Sequence, residues 1–221
     1  MKPVKFRDDI DPANTWVTSD THYGHDNIIG FCHRPEDHEQ VMIAEWRKEV
    51  PDDATLIHLG DVCYRSNARF KHLIAKELTG ERKLLIRGNH DNQRFSFYKQ
   101  SGFNIVSPFS VLYKGAMHGR RPYVVSFSHY PWNPEEDGAM QGYDLRLHGH
   151  IHNNGYSREA WVPFIAQHVN LSVEQTKYRP VNLKLLLDAV LLGEYPQTTE
   201  AQIEDARSRK EFHQAKGEGN A

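Results

Sequence analysis

Cysteine is nearly missing from this chain: Cys32 and Cys63 are the only two in 221 residues. That is too few for a disulfide scaffold or a thiolate zinc cluster, and it suits a reducing compartment. An excess of charge of one sign is lacking as well, since 27 Lys and Arg face 29 Asp and Glu. The broad positive field that gathers nucleic acid or anionic lipid is thereby excluded, and any contact with nucleic acid must be local. No apolar run reaches the roughly 18 to 20 residues that span a bilayer. The longest, Leu183 to Leu192, is interrupted by Lys184 and Asp188. Met1 to Asp11 carries charges throughout and has no apolar middle, so it does not read as a secretion signal. The expectation is a cytoplasmic protein without a membrane partner.

Apolar residues, by contrast, make up 38% of the chain and aromatics 11%, enough to bury the core of one ordinary domain. The compositional outlier is histidine, with 14 copies. Histidine is the commonest metal ligand and titrates near neutral pH, so the places where it clusters decide the reading.

Thr15–Ser19, Ala54–Leu59, Arg82–Arg87, Tyr123–Ser128, Asp144–His148 and Phe164–Asn170 read as short strands. Helical spacing over Glu39–Val50 and Ala68–Leu78 separates the first three, which predicts parallel strands with helical crossovers. Beyond Gly102 the strands shorten and turn signals multiply, with Lys114-Gly115 and His118–Pro122 bracketing a hairpin tip, so the second half reads as mainly antiparallel. Two sheets packed face to face and flanked by helices are expected. Asn182 caps an amphipathic helix carrying Leu183, Leu186, Leu187 and Val190, with Gly193 near its end. Residues 1–196 read as a single domain and 197–221 as a charged tail, a fraying helix or a disordered segment.

Five polar segments follow strand-like runs: Ser19-Asp20-Thr21-His22, Gly60-Asp61, Gly88-Asn89-His90-Asp91, Ser128-His129 and Gly149-His150-Ile151-His152. Loops at strand ends are where open α/β sheets hold ligands, and glycine lets the backbone approach a bound ion. The donor set is Asp20, His22, Asp61, Asn89, His129, His150 and His152. Oxygen and imidazole without thiolate suit Mn, Fe, Zn, Co or Ni more than calcium or copper. Seven donors are too many for one tetrahedral ion and about right for two ions that share a carboxylate. Two such ions generate hydroxide at neutral pH and stabilise the attacking and leaving oxygens of a displacement at phosphorus.

The ordered set D-x-H, G-D, G-N-H-D, a lone H and G-H-x-H resembles the calcineurin-like metallophosphoesterases. Thr21–Ile29, Asn170–Val173 and Tyr178–Val181 are similar to a compact bacterial and phage-type branch of them. The resemblance implies a four-layer α/β/β/α sandwich around two divalent metal ions, with Mn favoured. It assigns Asp20, His22, Asp61 and His152 to one ion and Asp61, Asn89, His129 and His150 to the other, Asp61 bridging. It also implies that His90 protonates the leaving oxygen or stabilises developing charge, a role that typically contributes about 10² to 10⁴-fold, with Asp91 orienting it. The implied reaction is hydrolysis of a small phosphodiester or nucleotide by a metal-bound hydroxide. Phosphomonoester or pyrophosphate hydrolysis, a nuclease of the same fold and a non-catalytic binding platform are the alternatives.

Around the motifs, Tyr23, His25, Arg65 and Arg120 are candidate substrate contacts, the arginines because guanidinium matches phosphate bidentately. Arg87 belongs with them by position. Tyr130 and Trp132 flank the loops as candidate base-stacking rings. His58 and His148 lie within strands and read as supports for the ligands.

Overall fold

The computed structural model describes residues 5–64, 72–114, 121–131, 143–153 and 168–192. Arg65, Arg120, Trp132, the hairpin tip, Gly193 and the charged tail lie outside them. The first sheet has the order β4-β3-β2-β1-β9, built from β1 (Thr15–Thr18), β2 (Thr55–His58), β3 (Arg82–Ile86), β4 (Phe103–Val106) and β9 (Val181–Asn182). Its first four strands run parallel, and β9 runs antiparallel to β1. The second sheet has the order β5-β6-β7-β8, from β5 (Phe109–Tyr113), β6 (Tyr123–Phe127), β7 (Leu145–His148) and β8 (His168–Asn170).

The mainly antiparallel second half expected from the turn signals is corrected here. Among the described residues of that sheet, β5 and β6 are the one antiparallel pair, while β6, β7 and β8 run parallel. The reason lies in the connections. A hairpin turn reverses the chain, but the stretches from β6 to β7 and from β7 to β8 are each longer than the dozen or so residues a parallel crossover needs. Residues 132–142 and 154–167, where a layer outside the second sheet is expected, fall outside the described residues.

Alternation along the strands makes two cores. Ile57 and Leu59 join Leu84 and Ile86 against Val125, Phe127 and Leu147 of the second sheet. Leu56 and Leu85 point the other way, toward Met42 and Trp46, which is the period-2 behaviour of a strand. Helix α2 (His38–Glu49) buries His38, Met42 and Trp46, one apolar stripe at four-residue spacing. The Trp46 indole N–H closes the layer on the Thr79 carbonyl at 3.1 Å. Of the expected second crossover helix, Ala68–Leu78, the described residues hold a π-helical stretch at Leu73–Glu77, and residues 68–71 lie outside them. Short helices α1 (Ile28–Cys32) and α3 (Phe95–Gln100) complete that side. Helix α4 (Leu183–Leu192) starts where the Asn182 side chain accepts the Leu185 N–H, and it delivers Leu183, Leu186, Leu187 and Val190 to the core between the sheets. The result is two mixed sheets flanked by helices. Because β1, β2 and β3 are parallel, as are β6 and β7, the loops after them gather at one edge of the sandwich.

Candidate metal centre

Those loops carry all seven expected donors, and the fold brings them together. His22 Nε2 lies 3.6 Å from Asp61 Oδ2 and 3.9 Å from Asp20 Oδ1. His152 Nε2 lies 3.7 Å from Asp20 Oδ1. On the other side, His129 Nε2 is 3.5 Å from Asp61 Oδ2 and 3.0 Å from Asn89 Oδ1, and His150 Nδ1 approaches it to 3.2 Å. Asp20, His22 and His152 form one close donor group, and Asp20, Asp61 and His129 another. The donors fit cations on a further ground: Asp20 Oδ1 and both ring nitrogens of His22 are buried without a hydrogen-bond partner. Buried polar atoms of this kind are rarely left unsatisfied in a native fold.

Metal-ligating imidazoles are aimed by what holds their second nitrogen. His129 Nδ1 meets the Leu59 carbonyl at 2.9 Å, which leaves Nε2 for the cleft. His152 Nδ1 meets Glu174 Oε1 at 3.0 Å, again leaving Nε2 free. Glu174 is in turn held by Arg34, which is 3% exposed. That guanidinium donates to the Thr21 and Asp20 carbonyls at 2.8 and 2.6 Å and to Glu174 at 2.8 Å. Ser172 Oγ sits 3.0 Å from Asp20 Oδ2, and the Asn170 amide donates to the His152 carbonyl at 2.7 Å. Sequence reasoning missed Arg34 and Glu174, because neither sits in a motif. Asn170 and Ser172 stood out only through the family resemblance.

Five donors, Asp20, His22, Asp61, His150 and His152, have backbone φ between 51° and 72°. Non-glycine residues in this left-handed region cost about 1 to 3 kcal/mol each and persist where the surroundings over-determine them. The motif glycines answer a different need. A Cβ on Gly88 would stand 2.2 Å from Asp61 Oδ1 and 2.7 Å from His129 Cε1, and one on Gly149 would stand 2.0 Å from Asp20 Oδ2. Each of these glycines clears space for another motif's donor.

Other expected site residues land elsewhere. Asp91 does not orient the His90 ring in the manner expected. Its Oδ2 accepts the Asp61 and Gly88 N–H groups at 2.7 and 2.8 Å, and its Oδ1 accepts the Val62 N–H and the Tyr98 hydroxyl at 3.1 and 3.2 Å. It ties the second motif loop to the third, so its place is structural. Tyr23 is 0% exposed within the outer core and cannot touch a substrate. After His22 the chain pairs edge to edge with the next loop, Tyr23 N–H on the Val62 carbonyl, and this turns the ring inward. His25 is nearly buried, its ring 5.5 Å from that of His22 and stacked beneath Tyr64. The Arg87 guanidinium donates to the Asp91 carbonyl and lies over the Phe95 ring, so its charge is already engaged. His58 is a support: Nδ1 accepts the Gly60 N–H and Nε2 meets the Thr21 hydroxyl. His90 lies at the mouth, partly exposed, its N–H on Asp61 Oδ1 and its ring 5.1 Å from that of His22.

The charges in this pocket call for a positive partner. Burial, helped by the nearby Asp20 carboxylate, pushes the Asp61 carboxyl up to about 8. Burial drives His22 and His129 below the ordinary histidine value and His150 to about 4, so these rings are neutral and have a lone pair to offer at pH 7. Burial works against protonation of His152 too, but the Cys32 thiol and the Glu174 and Asp20 carboxylates outweigh it and hold the proton on. A cation entering the pocket displaces protons from Asp61 and His152, the usual coupling of metal binding to pH.

Residues 13–196 match the family model of the calcineurin-like phosphoesterases. An uncharacterized protein of Methanocaldococcus jannaschii is 26% identical over 189 residues, covering 83% of this chain and 94% of that protein. The gene 66 protein of Mycobacterium phage L5 is 25% identical over 170 residues, covering 64% of this chain and 78% of that protein. Among solved structures, a protein of unknown function from Aquifex aeolicus superposes with a TM-score of 0.55 at 27% identity, covering 76% of this chain and 94% of that one. With the family match running through every motif loop, the chain belongs to the calcineurin-like phosphoesterases.

Proposed function

We propose that this phosphoesterase is a binuclear-metal enzyme that hydrolyses a small phosphodiester or nucleotide. The observation that supports it best is the position of Asp61: its Oδ2 stands 3.6 Å from His22 Nε2 and 3.5 Å from His129 Nε2, between two donor groups. Asp20, His22, Asp61 and His152 would hold one divalent ion, and Asp61, Asn89, His129 and His150 the other. Mn is the favoured metal for oxygen and imidazole donors without thiolate. Such a pair of ions supplies an activated water at neutral pH and neutralises charge on the phosphoryl oxygens.

The chain's own part is positioning and proton transfer. His90 stands at the mouth with its backbone fixed on Asp61, placed to give a proton to the departing alkoxide as the P–O bond breaks. Asn89, Tyr64 and Tyr130 complete the rim among the described residues. These groups offer amide and phenol to the organic arms of a substrate. Two buried free cysteines accord with a cytoplasmic setting, and among the described residues no helix is long and apolar enough to cross a membrane.

Metal analysis combined with kinetics tests the reading. Asp61→Ala is expected to lose bound metal and all turnover of bis-p-nitrophenyl phosphate together. His90→Ala keeps metal and loses about 10² to 10⁴-fold in kcat on a diester with an alkyl leaving group, and far less on the nitrophenyl ester, whose leaving oxygen needs no proton. Full activity of metal-free Asp61→Ala protein overturns the proposal, and faster turnover of p-nitrophenyl phosphate than of the diester assigns a monoesterase instead.

A further inference from the structure

We infer that Tyr64 and Phe31 form an aromatic shelf beside His90 that stacks a nucleobase, making a nucleoside phosphate the substrate class. This rests on the phosphoesterase reading and names the arm of the substrate that lies next to His90.

Tyr64 is 44% exposed and Phe31 68% exposed. Exposed rings carry no meaning singly, but these two lie against one support. The Tyr64 ring stacks on His25 with centroids 4.1 Å apart and planes 9° from parallel. One face is thus covered by His25, while the residue as a whole stays exposed. Phe31 meets the same imidazole nearly edge-on, 6.3 Å away and at 68°, and forms a wall beside the shelf.

The support is rigid. His25 N–H bonds the His22 carbonyl at 3.0 Å, and its carbonyl accepts the Ile28 N–H at 3.0 Å. Tyr64 N–H bonds the carbonyl of fully buried Tyr23 at 3.0 Å. Helix α1 is anchored by buried Ile28 and Cys32, which leaves Phe31 on its outer side.

Distance then sets the occupant. The Tyr64 ring lies 6.2 Å from the His90 ring, and the His25 ring lies 5.5 Å from that of His22. A phosphate held at His22 and His90 therefore has its nearer arm over Tyr64. A flat heteroaromatic base continues the His25–Tyr64 stack, and stacking of this kind accepts any base because each has a π-face.

Calorimetric titration of the manganese-supplemented full chain with AMP and with ribose 5-phosphate separates base from phosphate. The wild type is expected to prefer AMP. Tyr64→Ala reduces that preference by about 5- to 150-fold, the usual effect of removing one stacking ring. Phe31→Ala reduces it by less, and Tyr64→Phe retains it. Equal affinity for the two ligands in the wild type, or an undiminished preference in the Tyr64→Ala, Phe31→Ala double variant, overturns the shelf. Because the readout is binding, the two readings fail separately. A protein with a shelf-dependent AMP preference that hydrolyses no phosphate ester keeps the shelf and loses the enzyme. A protein that cleaves diesters but ignores the base keeps the enzyme and loses the shelf.

Discussion

Asp20, Asp61, His22 and His129, on the floor of the cleft, are each at most 1% exposed, whereas Asn89, Tyr64 and Phe31 on its rim look out to solvent. The floor is bound into the fold from several directions. Asp20 alone receives the His150 N–H and lies against the Ser172 hydroxyl, while its own carbonyl is gripped by Arg34. The rim rests on the floor, Tyr64 on His25, His90 on the Asp61 carboxylate and Asn89 against the His129 ring. A buried donor cannot be misplaced without disturbing several neighbours, so the floor is where fold and chemistry coincide. Tyr64 and Phe31, to which no metal or proton role is given, are free to vary, which fits the proposal that they meet the substrate.

Substitutions in the floor should therefore damage metal binding and stability together, and the largest effect is expected at Gly88. A methyl there has no room beside Asp61 Oδ1 and His129 Cε1. Gly88→Ala is expected to lose metal and to cost about 1 to 3 kcal/mol of stability, as overpacking in a dense interior does; metal content and urea denaturation measure both. If Gly88→Ala binds metal normally, the floor is softer than the comparison holds.

A smaller effect is expected one layer out. Glu174→Gln keeps an acceptor for Arg34 and for the His152 ring but removes the charge. Metal affinity should fall by about 10- to 100-fold, the usual result of weakening an orienting partner, while the far-ultraviolet dichroism stays as in the wild type. Competition with a metal-sensitive dye measures it.

The mildest test concerns pH. Burial pulls His58 down to about 3, whereas an unfolded histidine titrates near 6.5. Between those values the unfolded chain binds the proton more readily. The stability that neutral His58 provides is therefore present above about pH 6.5 and is lost as pH falls toward 3, by up to about 1.4 kcal/mol per pH unit. Urea midpoints of metal-free protein at pH 7 and pH 5 should differ more in the wild type than in His58→Gln.

The donors were legible because each motif sets a chemically specific side chain at a strand end, three of the five beside a glycine. Spacing alone placed Asp20, Asp61, Asn89, His129 and His150 on neighbouring loops. Arg34 and Glu174 were not legible, since they meet across 140 positions of sequence and look like ordinary surface residues in one dimension. Tyr23 misled because adjacency to His22 suggests the cleft, while the backbone pairing of its loop turns it into the core. Asp91 misled because its neighbour His90 is at the mouth, yet three donors from other elements and one from its own loop capture its carboxylate. The parallel second sheet was hidden because short strands and turn residues look alike in hairpins and in the ends of long crossovers.

The left-handed turns at Asp20, His22, Asp61, His150 and His152 bear on how this chain can change. Glycine relaxes such a backbone but supplies no ligand, so each of these positions exchanges conformational comfort for coordination. A descendant released from its chemistry would have five ready places to become hardier, and heat tolerance rising as activity vanishes would be the mark of that history.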